Sequence, residues 1–330
     1  MNKIKRSGKL LKAAFAVLFR EKKLLIFPLI ATVLALVVAL FFIAPIALYP
    51  TGHSYLSAAH WSALADKAAH FLPMAKPHEK YGEVTAGLHP YGALVSSDTW
   101  WVAPFMALAY FVSMFLATFS NVAFYHEIMQ ALNGSAVSIR RGFRFASSRW
   151  RAVLLWSLFA GLVGYLIQAV QERLGFLGRI VTGLIGFVWS VACIFIIPTL
   201  VRDAESSNPI KLLRGSVGTL RRTWGEAVVG FVGIQLISLL SMTTMIVGIL
   251  LTVGIPMVVL RYPNPGLNIN HLMYYQAGIF FVAVLVATVL SYLGGLLNSV
   301  YRCALYIYAT EGVVPGTFDK ELLDSAWKVK

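Results

Sequence analysis

Six long apolar blocks interrupt this sequence, at 24–48, 100–123, 152–168, 180–201, 227–251 and 276–300. A helix needs about 20 mostly apolar residues to cross the roughly 30 Å hydrocarbon core of a bilayer. Inside lipid every backbone amide must find its partner within its own segment, so blocks of this kind have to be helices. A soluble core is excluded by supply. Only 13% of the residues are charged and 58% are hydrophobic, where soluble domains run at about 25% charged. The expectation is an all-α polytopic transmembrane helical bundle with six spanning helices, forming a single integral membrane domain over residues 1–330.

Orientation follows from the basic residues between the blocks. Lys and Arg total twenty-two in the segment before the first block, the third and fifth connections and the tail, against six in the other three connections. Positive charge stays on the cytoplasmic side. Both termini are therefore expected in the cytoplasm of a bacterial inner membrane, with residues 1–23 a cytoplasmic amphipathic helix, 49–99 an extracytoplasmic loop and 310–330 a cytoplasmic tail. The first block is too long for the 7–15-residue apolar region of a signal peptide, and no Ala-x-Ala site follows it, so it is read as a retained helix. Trp100, Trp101, Tyr274 and Tyr275 flank the outer ends of blocks, and Tyr301, Tyr306 and Tyr308 the inner end of the last. Such rings favour headgroup depth.

The basic connections are patterned. In "NPIKLLRGSVGTLRRTWGEA", residues 208–227, Ile210, Leu213, Val217, Leu220 and Trp224 share one stripe at about 100° per residue, flanked by Lys211, Arg214, Arg221 and Arg222. Asn208 suits an N-cap and Pro209 the first helical position. The same design appears in "SIRRGFRFASSRWRAVL", where Ile139, Phe143, Ala146, Trp150 and Val153 form the stripe and Arg140, Arg141, Arg144 and Arg151 lie off it. It appears again near the N-terminus, with Ile4, Leu11, Phe15 and Leu18 opposite Lys5, Lys9 and Lys12. Each precedes an odd-numbered block, which suggests a threefold repeat of an interfacial helix and a transmembrane hairpin. A basic helix at the inner surface meets anionic headgroups first, at about 1 kcal/mol per Lys or Arg. The expected partners are anionic membrane lipids, with a membrane-protein partner as the alternative. Nucleic acid is not expected, since no nucleic-acid module is visible.

Two stretches resemble known families. "RSGKLLKAAFAVLFREKKLLIFP", residues 6–28, resembles the start of an uncharacterised bacterial family of six-helix membrane proteins. "IPTLVRDAESSNPIKLLRGSV", residues 197–217, is similar to a segment of YciC-like inner-membrane proteins and of the membrane domain of glycerophosphodiester phosphodiesterases, through Pro198, Asp203, Glu205, Asn208, Pro209, Arg214 and Ser216. The resemblance implies a shared multi-helix membrane fold and brings no activity or catalytic residue with it.

Chemistry-bearing patterns are sparse. His126-Glu127 begins a zincin-like motif, but "HEIMQ" ends in Gln130 and lacks the second His ligand. His53, His60, His70, His78 and His89 crowd the 49–99 connection. On a helix over 54–72, His60 lies seven residues from His53, about 10 Å along the axis, too far to share an ion. Cys193 and Cys303 read as small buried hydrophobes. Small residues at Thr182, Gly186 and Ser190, and at Ala287, Ser291, Gly295 and Ser299, suit close helix packing. Polar residues at membrane depth are few (Gln168, Gln235, Asn298), and carboxylates of the kind coupled transporters place there are missing. Glu127, Glu205 and Glu311 follow the even-numbered blocks and could pair with the Arg of the interfacial helices. Gly254 and Pro256 suggest a kink or turn in an apolar run that continues to Leu260. No catalytic constellation, metal site or cofactor is expected. The leading expectation is a non-enzymatic membrane protein that binds lipid or organises a complex, with Arg140, Arg141, Arg144, Lys211, Arg214, Arg221 and Arg222 as the headgroup contacts; the alternative is a transporter or lipid-translocating protein.

Overall fold

The computed structural model describes residues 3–71, 102–173, 176–203, 207–261 and 269–315. Helices α1 (Lys3–Arg20), α2 (Ile26–Ala47), α3 (Ala58–Phe71), α4 (Val102–Leu132), α5 (Ile139–Ser148), α6 (Trp150–Arg173), α7 (Phe176–Ala192), α8 (Ile196–Arg202), α9 (Pro209–Arg261) and α10 (Ile269–Glu311) account for nearly all of them, with a 3-10 turn at Lys22–Leu25. No strand occurs among the described residues. Five helical stretches are long and apolar enough to cross a membrane: Lys22–Pro45, Pro104–Leu132, Trp150–Gln171, Ile180–Arg202 and Tyr274–Glu311. A shorter apolar stretch, Ile237–Val253, lies in α9, where the sequence places its fifth crossing.

Two compact units result, one of Met1–Pro28 with Thr118–Lys330 and one of Leu29–Ala117. In the second unit the chain leaves α2 and is pinned by His60. This side chain is fully buried. Its Nε2 donates to the Ala47 carbonyl at 2.9 Å, and Nδ1 shares a hydrogen bond with the Thr51 hydroxyl at 2.6 Å. Tyr55 and Trp61 stand edge-on to the ring. His60 is thus a spent structural histidine in a helix that starts at Ala58, four residues later than the sequence suggests. His53 is exposed, His78 and His89 lie outside the described residues, and no cluster of metal-binding side chains occurs among the described residues.

The first unit concentrates its core at one end. Val17, Leu24, Phe27, Ile128, Phe195, Leu200, Leu212, Leu297 and Ile307 are all essentially inaccessible. They come from α1, the 3-10 turn, the start of α2, the last turns of α4, α8, the first turns of α9 and the end of α10. Away from that end the helices turn large apolar side chains outward: only 11–22% of each membrane-crossing window is buried. A water-soluble protein could not carry so much exposed apolar surface; the hydrocarbon of a bilayer covers it. The end that holds the core also carries Arg140 and Arg144 of α5 and Lys211, Arg214, Arg221 and Arg222 of α9, and is the basic end.

Three expectations change. The 208–224 segment is not a separate helix: α9 runs unbroken for 53 residues from Pro209, because neither a proline nor a competing cap interrupts "TWGEAVV". By contrast α5 does stop, at Arg149, whose backbone N–H bonds back to Ala146 and Ser147. Gly254 and Pro256 lie within continuous α9, which ends at Arg261, so of the kink or turn read there the turn does not occur. Finally, Tyr301 and Tyr306 are buried in the core, because α10 runs on to Glu311 among the other helix ends.

Helices α9 and α10 pack as an antiparallel pair through small residues. Ser241 Oγ donates to the Ala287 carbonyl at 2.8 Å and meets Ser291 Oγ at 2.7 Å. A β-carbon on Gly248 would come within 2.3 Å of the Ala283 methyl, and one on Gly294 within 3.3 Å of Ile237. Of the stripe read from sequence, Ala287 and Ser291 are at this contact, but Gly295 faces open space and its neighbour Gly294 takes its place. In α7, Thr182 is buried and donates to the Gly178 carbonyl, a β-carbon on Gly186 would lie 4.0 Å from Ile167, and Ser190 is exposed.

Candidate functional site

The basic end is organised by two joints between helices. The first joins α4 to α5. Helix α4 closes with Gly134 at φ +84°, a left-handed residue that glycine adopts without strain. Ser135 N–H reaches back to the Gln130 carbonyl and Gly134 N–H to that of Ala131, the paired bonds of a Schellman stop. The reversal lays the start of α5 against Glu127, which is fully buried. Ser138, the N-cap of α5, donates its backbone N–H to Glu127 Oε2 at 2.7 Å. Arg141 then sets its fork on both carboxylate oxygens, Nε to Oε1 at 2.8 Å and Nη2 to Oε2 at 2.6 Å. Nη2 also donates to the Ala136 carbonyl at 2.8 Å. The hydrogen bond to Glu127 raises Arg141 above arginine's ordinary pKa. His126 Nδ1 lies 3.1 Å from Oε1 while its ring stacks on Phe145.

Gly142 makes this approach possible. A β-carbon there would sit 2.8 Å from the Ala123 carbonyl oxygen and 2.9 Å from Glu127 Cγ. Phe27 closes the far side, stacked on Phe143 and tilted against Phe124. The end of α1 holds the same turn: Arg20 Nη2 donates to the Ala131 carbonyl, and Glu21 Oε2 accepts from Val137 N–H at 3.2 Å.

The second joint lies between α7, α8 and α9. The helix breaks between Ala192 and Ile196, which frees a carbonyl and an amide in an apolar setting. Ser216 of α9 satisfies both. Its hydroxyl donates to the Ala192 carbonyl at 2.6 Å and accepts from Phe195 N–H at 3.1 Å. Gly215 beside it lets the α9 backbone meet Thr199, whose methyl would lie 3.1 Å from a β-carbon. Asn208 accepts from Ile210 N–H at 2.9 Å, fixing where α9 begins. Replacing Ser216 by Ala should leave two buried backbone groups unmatched and cost about 1–3 kcal/mol. A thermal melt in detergent would register it, and an unchanged melt would mean that water fills in for the hydroxyl.

The glutamates divide. Glu127 pairs with Arg141 of α5. Glu311 pairs with Arg202 at 2.6 Å, an arginine at the end of α8 and not on any of the basic helices read from sequence. Both partners are more than a third exposed, so the pair is worth little. Glu205 lies outside the described residues. Arg149 Nη2 donates to the Asp203 carbonyl, tying the α5–α6 boundary to the cap of α8; burial lowers this arginine's pKa and the Asp203 charge opposes that.

The remaining basic residues point away from these joints. Arg140, Arg144, Lys211, Arg214, Arg221 and Arg222 are all exposed, and none forms an ion pair with a described residue. Arg141 differs from them: its side chain is 42% exposed, but Nε and Nη2 are taken. The first turns of α9 therefore have three faces. Leu212, Ser216, Thr219, Leu220 and Thr223 are buried against the protein. Next round the helix come Ile210, Leu213 and Val217, exposed or half-exposed. After those come the basic residues. Sequence reasoning missed the buried face because Ser216, Thr219 and Thr223 read as polar; all three hydroxyls are satisfied by backbone carbonyls. Their four- and three-residue spacing was the available signal.

A model of a family of unknown function, DUF6159, matches residues 102–316, from the start of α4 to just past the end of α10. No curated protein matches the chain, and no solved structure does.

Proposed function

The chain belongs to the DUF6159 family, whose function is unknown, and we propose from its geometry that it is a non-enzymatic inner-membrane protein that holds anionic lipid headgroups at its basic end. In this reading both termini and the basic end lie in the cytoplasm, as the distribution of Lys and Arg requires. The likeness of residues 197–217 to YciC-like proteins and to the phosphodiesterase membrane domain belongs to the same reading. It accounts for a membrane fold and supplies no catalytic group.

The observation that carries the reading is the division of labour at the basic end. One set of charged residues is consumed internally, in the Glu127–Arg141 fork and the Arg202–Glu311 pair. A second set of six is exposed and flanked, on α9, by a partly exposed apolar stripe. A helix that offers apolar stems beside free cations suits the boundary between acyl chains and headgroups. Bound anionic lipid would in turn draw α5 and the start of α9 to one surface, which is how such a protein could also organise a membrane complex.

Native mass spectrometry of detergent-purified protein tests this. The wild type should retain phosphatidylglycerol or cardiolipin. The double variant Arg214→Gln, Arg221→Gln removes two cations at about 1 kcal/mol each, so retention should weaken by about 30-fold. Unchanged retention would overturn the reading. Lipid scrambling by the protein in proteoliposomes would point instead to translocation.

A further inference from the structure

Beside the Gly248–Ala283 contact, and extending from it toward Tyr274, α9 and α10 part to leave a groove of about 680 Å³. Thr243, Val247 and Leu251 line one wall; Tyr275, Gly278 and Val282 line the other. The lining is apolar in practice. Thr243 and its neighbour Thr244 donate to the Leu239 and Leu240 carbonyls of their own helix, and no charged residue takes part among the described residues. A β-carbon on Gly278 would meet nothing within 4 Å. Val247 and Val282 are about half exposed, and Tyr274 and Tyr275 stand exposed at the mouth.

We propose that this groove holds one acyl chain of a phospholipid from the leaflet opposite the basic end. The dimensions select that occupant. From Tyr274 to Val286 the wall of α10 rises about 18 Å at 1.5 Å per residue. That is close to half of a roughly 30 Å hydrocarbon core, the depth of a single leaflet. The tyrosines at the mouth fall at headgroup depth, where their rings are favoured and their hydroxyls can reach ester or phosphate oxygens. The floor is set where Ser241 bonds across the helices to the Ala287 carbonyl and to Ser291, just beyond Thr243 and Val286. Among the described residues the lining is apolar and carries no cation, which suits the chain and not the headgroup charge. It is separate from the basic end and does not depend on the function proposed there.

Photolabelling tests it. The intact protein is reconstituted in phosphatidylethanolamine vesicles carrying a trace of phosphatidylcholine with a diazirine in one acyl chain. It is then irradiated, and adducts are mapped by mass spectrometry. Adducts should concentrate on Val247, Gly278 and Val282 and stay low at Phe280 and Phe281, which are exposed outside the groove. Gly278→Trp, which fills the groove, should drop groove labelling to that background, while Arg214→Gln with Arg221→Gln should leave it unchanged. Equal labelling of Phe280, Phe281 and the groove residues would overturn the proposal. So would an unlabelled groove together with a Val282→Cys variant that copper phenanthroline oxidises to a disulfide-linked dimer, which would assign the groove to a second copy. The wild-type map decides the matter even if the tryptophan variant fails to accumulate.

Discussion

Replacing Arg141 by Ala should destabilise the protein by about 3 kcal/mol, because it strands a charge. Glu127 is inaccessible to solvent and has both oxygens committed to the guanidinium. Removing one partner of a buried ion pair costs about 3–5 kcal/mol, most of it the penalty of the unpaired charge left behind. The lower end applies here, since the Arg141 side chain is 42% exposed and water can follow into the space it leaves. Two further variants separate this account from simple loss of packing. Arg141→Lys keeps the charge but not the planar fork, and should recover only part of the loss. Glu127→Gln combined with Arg141→Ala removes the orphaned charge, so the double variant should be more stable than Arg141→Ala alone, a coupling visible in a double-mutant cycle. Denaturation in detergent reads all three. If Arg141→Ala melts with the wild type, the carboxylate is compensated by Ser138 N–H and His126 alone.

The joints also show which parts of this fold a sequence can reveal. The crossings were legible because bilayer thickness fixes their length, and five appear at or overlapping the positions the apolar blocks mark. Helix α5 was legible because its stripe is local, although the stripe read on to Trp150 and Val153 crosses the break at Arg149 into α6. What could not be read was whatever a second helix decides. Ser216 looks like an ordinary helical serine until the break at Ala192–Ile196 is placed beside it. Arg141 and Arg144 look alike in sequence, yet the first turns inward to Glu127 and the second stays exposed; one residue of register separates Arg141 from the Gly142 contact that brings Glu127 within reach. Tyr301 and Tyr306 follow an apolar block just as interfacial tyrosines would, and only the continuation of α10 into a packed core buries them. His60 reads as one of five scattered histidines because its partners, Thr51 and the Ala47 carbonyl, come from a chain reversal with no periodic signal.

Gly142→Val should be as damaging as Arg141→Ala, by the opposite physics: too much matter in place of too little. The nearest atoms to a new β-carbon are the Ala123 carbonyl oxygen at 2.8 Å, Glu127 Cγ at 2.9 Å and Phe27 Cε1 at 3.1 Å. The first belongs to the backbone of α4 and cannot yield without moving a membrane-crossing helix. The third is in a fully buried ring wedged between Phe124 and Phe143. Helix α5 must therefore lift, and the Arg141 fork lifts with it. Overpacking of this kind costs about 1–3 kcal/mol, and valine adds a second branch to the clash. Alanine is the more discriminating variant, because it also gains about 1 kcal/mol of helix propensity over glycine. Gly218 supplies the reference: it too is helical, but a β-carbon there meets nothing within 4 Å. Gly218→Ala should raise the melting temperature while Gly142→Ala lowers it. Opposite signs from one chemical change would isolate the close approach of α5 to α4 as the cause; equal shifts would mean that α5 gives way freely, and that the fork on Glu127 holds the joint without help from the glycine.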